Sequence, residues 1–102
     1  MSRMKPERKA ALWLVKCRGR PGNGRLLSAV DAAIGKALEG VNAEDVRERL
    51  RKAILLNCDD RDRYPYRYTG LDGISERDFY RRKGRFLDEV YRQVLRKGGK
   101  KR

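Results

Sequence analysis

The 102-residue sequence predicts a small all-α protein of about four helices. Three observations carry that expectation. Apolar residues recur at three- and four-residue spacing in separate stretches. Clusters of glycine and proline separate those stretches. Two of the stretches open on a cap followed three residues later by an acid. The length argues for one domain, expected over residues 1–97, with residues 98–102 as a basic, disordered tail.

The first helix is expected over roughly Pro6 to Cys17. Pro6 suits a first helical turn, but Leu12, Trp13, Leu14 and Val15 are apolar in succession and define no single face. "CRGRPGNGR" ends it, with three glycines and Pro21. Arginines beside glycines could wrap a phosphate, yet the spacing matches neither the P-loop nor the dinucleotide fingerprint. The loop reads as a flexible basic connector; where it touches nucleic acid, Arg18, Arg20 and Arg25 are expected to hold the backbone without reading sequence.

A second helix spans about Arg25 to Glu39, where Leu26, Leu27, Val30, Ile34, Ala37 and Leu38 give one apolar face and Gly40 a stop. The third is expected to be capped by Asn42, with Asp45 returning the bond and Val41 and Val46 as a staple. Val46, Leu50, Ala53 and Ile54 form its buried stripe, with Arg47, Arg49, Arg51 and Lys52 directed away from it. It ends near Asn57. In "CDDRDRYPYRYTGLDG", Asp59, Asp60 and Asp62 lack the glycine and later glutamate of a calcium loop. Tyr64, Tyr66 and Tyr68 alternate around Pro65 and predict a short extended stretch that packs on the core or stacks on bases.

The fourth helix lies in "GISERDFYRRKGRFLDEVYRQVLRK". Ser75 and Asp78 form an [ST]-x-x-[DE] box, and Ile74 and Phe79 take the staple positions. At ~100° per residue, Phe79, Lys83, Phe86, Leu87, Val90, Tyr91 and Val94 share one stripe. The Lys83 stem is expected along it with the ammonium in water. Arg81, Arg82, Arg85, Arg92 and Arg96 fall opposite. Gly98-Gly99 is the expected stop.

Charge bears most directly on function. Residues 1–25 hold eight basic groups and one acid, and residues 77–102 hold eleven and three, out of a net +13. Such an excess implies a polyanionic partner, since Lys and Arg displace counterions from nucleic acid. Histidine is absent, and Cys17 and Cys58 stand in unrelated contexts, which excludes a classical zinc finger and a disulfide framework. No nucleophile elbow or metal cluster is evident, so neither an enzyme nor a cofactor is expected. No run approaches ~18 apolar residues, so a cytoplasmic protein with no membrane partner is expected.

The run "ISERDFYRRKGRFLDEVYRQV" resembles the C-terminal helix of phage ArpU/RinA-type transcriptional regulators, which are related to DNA-binding region 4 of sigma factors. The matching positions are Ile74, Ser75, Phe79, Tyr80, Arg81, Arg82, Lys83, Phe86, Leu87 and Glu89. The resemblance implies a helix-turn-helix in which Ser75, Glu76, Arg77, Tyr80, Arg81 and Arg82 face DNA and Phe79, Phe86 and Leu87 are core. It covers about a quarter of the chain. That family carries a short helix before the turn, where "DRYPYRYTGLDG" does not read as one. Either the third helix gives support across a long loop, or the motif is not a helix-turn-helix.

The expected function is thus duplex-DNA binding by a phage- or prophage-type transcriptional regulator, with RNA polymerase or another protein as a further candidate partner. Its contacts are Ser75, Arg77, Tyr80, Arg81, Arg82, Arg85 and Arg92 on the fourth helix, with Arg18, Arg20 and Arg25. The alternatives are an RNA-binding or ribosome-associated protein, with Tyr64, Tyr66 and Tyr68 beside Arg63 and Arg67 stacking on bases, and an adaptor docking on an acidic protein.

Overall fold

A computed structural model describes residues 4–22 and 24–96. Four α-helices build the fold: α1 (Pro6–Lys16), α2 (Gly24–Ala37), α3 (Glu44–Asp59) and α4 (Glu76–Val90). A single 3-10 turn, Tyr66–Tyr68, precedes α4, and a π-helical segment, Tyr91–Arg96, continues it. Among the described residues there is no strand. The expected tail, 98–102, and the expected stop at Gly98-Gly99 lie outside the described residues.

α4 is the element around which the others pack, chiefly α2 and α1. Its Phe79, Phe86, Leu87 and Val90 are buried, as the helical phase predicts. α2 meets it with Val30 and Ile34 and with alanines at positions 29, 33 and 37, all buried. Short side chains at four-residue spacing let two helix axes come close. Leu27, assigned to the same face, is nearly half exposed; it lies one ~100° step off the stripe set by Leu26 and Val30.

On α1 the undefined face resolves to Ala11 and Val15, one turn apart and both buried, while Trp13 is 62% exposed. α1 is tied to α4 by Arg8, whose Nε and Nη2 donate to the two Asp88 carboxylate oxygens at 2.8 and 2.9 Å. That guanidinium crosses directly over Gly84. A Cβ built there would stand 2.7 Å from Arg8 Nη1, so a glycine in mid-helix is what admits the crossing.

Three local expectations are corrected. α3 starts one residue later than expected: the cap position is Ala43, with no side-chain bond, and Asn42 lies outside the helix, exposed. Arg47, expected to point away from the core, is half-buried and donates to the carbonyls of Leu38 (3.2 Å) and Val41 (2.7 Å), tying the start of α3 to the end of α2. Tyr66–Tyr68 is a 3-10 turn and not an extended stretch. The Tyr66 hydroxyl donates to the Ile74 carbonyl and its ring tilts against Phe79 at 5.6 Å, so the chain must curl to carry that ring inward.

Candidate nucleic-acid interface

The N-terminus of α4 is fixed as the sequence predicts. Ser75 has extended backbone, and its Oγ accepts from the Asp78 N–H at 3.1 Å. Ile74 and Phe79 are both buried on either side of the cap. The Asp78 carboxylate does not return the bond. It accepts from Arg81 and, at 3.0 Å, from Arg82. Burial pushes the Asp78 carboxyl up, but the two guanidinium bonds outweigh it and hold it below its ordinary value.

Two of the basic residues turn inward. Arg82, expected on the DNA face, is only 9% exposed; its Nη1 donates to the carbonyls of Ala37 and Glu39, both at 2.8 Å. These carbonyls belong to the last turn of α2 and the step beyond it, which lack intrahelical partners and carry the negative end of the helix dipole. Gly40 follows at φ +89°, the left-handed geometry that lets the chain leave the helix. Arg82 and Arg47 together therefore seal the C-terminus of α2. The reason lies in phase: four residues after Asp78, Arg82 sits at the border of the two faces, within reach of a helix end that needs donors.

Lys83 is the second. It is 5% exposed, and its ammonium is not in water but donates to Asn57 Oδ1 at 2.6 Å. Asn57 in turn donates through Nδ2 to the Tyr64 carbonyl (2.8 Å) and the Tyr80 hydroxyl (3.4 Å). Among the described residues no buried side-chain nitrogen or oxygen lacks a partner, so this polar centre is closed. Burial lowers the Lys83 pKa below its ordinary 10.5, against Cys58, with Arg61 and Lys16 adding repulsion. Burial also pushes the Cys58 thiol up to about 11 from 9.0.

These shifts act on stability in opposite directions. Below both Lys83 values the folded and unfolded states hold the same proton; between the folded value and 10.5 the unfolded state binds more, so stability rises with pH. For Cys58 the folded state keeps its proton between 9.0 and about 11, and stability falls as pH climbs through that window. A Lys83→Met variant, compared with the parent in urea melts from pH 7 to pH 10.5, is expected to lose its relative stability as pH rises. A pH-independent difference would mean that Lys83 titrates as it does in the unfolded chain.

The solvent face of α4 retains Arg77, Arg81 and Arg85 at four-residue spacing, with Arg92 beyond on the π-helical segment, all exposed. Arg81 pairs with Asp78, Arg85 with Glu39 at 3.3 Å, and Arg92 with Glu89. Each of these ion pairs has an arginine about half exposed, the class worth ~0–1 kcal/mol. Arg77 has no ion-pair partner among the described residues. Ser75 spends its oxygen on the cap. Tyr80 is half-buried, edge-on to Phe79 at 5.0 Å, with the Arg61 guanidinium over its ring at 4.8 Å.

The loop arginines divide as well. Arg18 grips both Asp59 oxygens at 2.7 and 3.0 Å and donates to the Val15 carbonyl, which joins the end of α1 to the end of α3. Arg20 and Arg25 are exposed, with no ion-pair partner among the described residues.

A second basic surface is legible in the sequence only on its tyrosine side. Arg49, Lys52, Ala53 and Leu56 of α3 face Tyr64, Tyr68 and Thr69 across a recess of about 120 Å³. Arg63 lies over Tyr64 at 5.7 Å and Arg67 over Tyr68 at 5.0 Å. The loop that follows α3 folds the tyrosine wall back against the α3 wall.

No protein-family model, curated protein or solved structure matches this chain.

Proposed function

We propose that this protein binds duplex DNA through the solvent face of α4 and acts as a transcriptional regulator of the phage type. The observation that carries the reading is the row of Arg77, Arg81 and Arg85 on a helix whose opposite face is anchored in the core. Eight residues of helix place these groups along roughly 12 Å. The major groove of B-form DNA admits an α-helix, whereas the deep, narrow groove of A-form RNA does not. Arginine's fork suits both phosphates and guanine edges. Exposed pairs of ~0–1 kcal/mol are weak enough for phosphate to replace the carboxylates.

The resemblance to the ArpU/RinA-type regulators rests on the sequence of α4 alone, since a three-residue 3-10 turn, and not that family's short helix, stands before Ser75. Arg82 drops out as a DNA contact in this reading, and Arg18 does so with it. Arg20 and Arg25 remain as phosphate contacts. RNA polymerase, as a partner, follows from the regulator reading alone.

The test is the double variant Arg77→Ala, Arg81→Ala, measured by fluorescence anisotropy on a duplex over a salt series. Each phosphate left without its arginine lowers the salt slope by about 0.9, so the slope should fall by about 2. Both side chains are exposed, so the melting temperature should stay within about a degree or two of the parent. Unchanged duplex affinity and slope would remove α4 from the interface.

A further inference from the structure

We propose that the recess between α3 and the tyrosine segment is a second nucleic-acid site, which takes one unpaired base against Tyr68 and its flanking phosphate on Arg49 and Lys52. The walls carry the chemistry of both halves of a nucleotide. Ala53 and Leu56 are apolar and the rings of Tyr64 and Tyr68 are flat; Arg49 and Lys52 are cationic, and among the described residues no carboxylate lines the recess. A bare phosphate would not need the rings, and an uncharged aromatic ligand would not need the cations.

Three further observations support an unpaired nucleotide. Tyr68 is 68% exposed, whereas Tyr66 is spent on the core. Arg49 and Lys52 have no ion-pair partner among the described residues, although Arg47 and Arg51 on the same helix are engaged. The segment that carries Tyr68 is tied at three points: the Tyr64 carbonyl accepts from Asn57, the Tyr66 hydroxyl donates to the Ile74 carbonyl, and Thr69 Oγ1 donates to the Tyr66 carbonyl at 2.8 Å. A backbone already tied in place leaves less to order on binding.

Size narrows the occupant further. The recess is well below the ~300–1,000 Å³ of drug-sized pockets, so it holds a single ring system and not a run of stacked bases. A base inside a duplex is stacked on both faces and cannot enter. The occupant is therefore a nucleotide from single-stranded DNA, from RNA, or from an opened duplex.

The experiment uses the full chain and three labelled ten-nucleotide strands in anisotropy titrations at fixed salt: oligo-thymidine, oligo-uridine and an abasic strand of equal charge. At least one base-bearing strand is expected to bind more tightly than the abasic one, and which of them does so identifies the sugar the site accepts. Tyr68→Ala is expected to reduce that affinity roughly ten-fold or more, to the abasic level, because base–aromatic stacking is worth ~1–3 kcal/mol per base. Tyr68→Phe should restore it, and duplex binding by both variants should match the parent. Equal binding of abasic and base-bearing strands, or no loss in Tyr68→Ala, would overturn the site. The outcome is separable from the α4 reading, since the Arg77, Arg81 double variant tests duplex binding and leaves the abasic comparison in place.

Discussion

Phe86→Ala is expected to lower the unfolding free energy by ~3–5 kcal/mol, the range for large-to-small aromatic truncation in a packed core. Phe86 is fully buried, one turn before Val90, and the core cluster it joins includes residues of α1, α2 and α3. It stands on the element that packs against both α1 and α2, and a close-packed core relaxes only partly around a lost ring. The total stability of a domain this size is of order 5–15 kcal/mol, so the loss would be a large fraction of it. The check is a urea melt at pH 7. An unchanged slope with a much lower midpoint is the expected pattern, because a cavity alters stability and not the area exposed on unfolding. A loss below ~1 kcal/mol would mean that the ring is not held in the core.

How much of this is visible in the sequence follows from how local each determinant is. The four helices are legible, as are the Ser75 cap, its Ile74 and Phe79 staple, and the burial of Phe79, Phe86, Leu87 and Val90, because each depends on residues within one or two turns. What is not legible is mostly long-range. The helical-phase reading places Arg82 and Arg47 away from the core, but the end of α2 presents carbonyls that need donors, and only the packing brings those groups together. Helical phase lets Lys83 snorkel, yet Asn57, twenty-six positions away, supplies an acceptor inside. Gly84 reads as a poor helix residue until Arg8 is seen crossing it. For the candidate interface, the exposed arginines of α4 are legible from phase alone, whereas the recess between α3 and the tyrosines needs the fold. One signal in the sequence points toward it: Tyr64, Tyr66 and Tyr68 interleaved with Arg63 and Arg67, a pattern that packs on the core or stacks on bases.

Arg82→Ala is expected to destabilise the protein by about 3 kcal/mol, at the scale of losing two buried hydrogen bonds from a charged donor at ~1.5–3 kcal/mol each, less what water recovers. Its guanidinium reaches three groups at once: the carbonyls of Ala37 and Glu39 and the carboxylate of Asp78. Truncation leaves the end of α2 without its donor and leaves Asp78 to Arg81 alone. Arg82→Lys should recover only a minor part, because an ammonium has no planar fork to reach a carboxylate and two carbonyls together. The same variant separates a structural arginine from a reading one. If Arg82 acts only by holding α2 against α4, Arg82→Ala at a temperature where it remains folded binds duplex DNA as the parent does, with the salt slope preserved. Arg77→Ala with Arg81→Ala shows the converse, a lower slope at unchanged melting temperature. The division matters for function because both groups lie on one helix within five residues. The inward arginine ties α4 to the end of α2, whereas the spacing of the outward arginines is set within α4 itself, so under the proposed function its loss lowers stability and leaves the salt slope intact. A loss of DNA affinity in Arg82→Ala with full thermal stability would reverse the assignment and return this guanidinium to the interface.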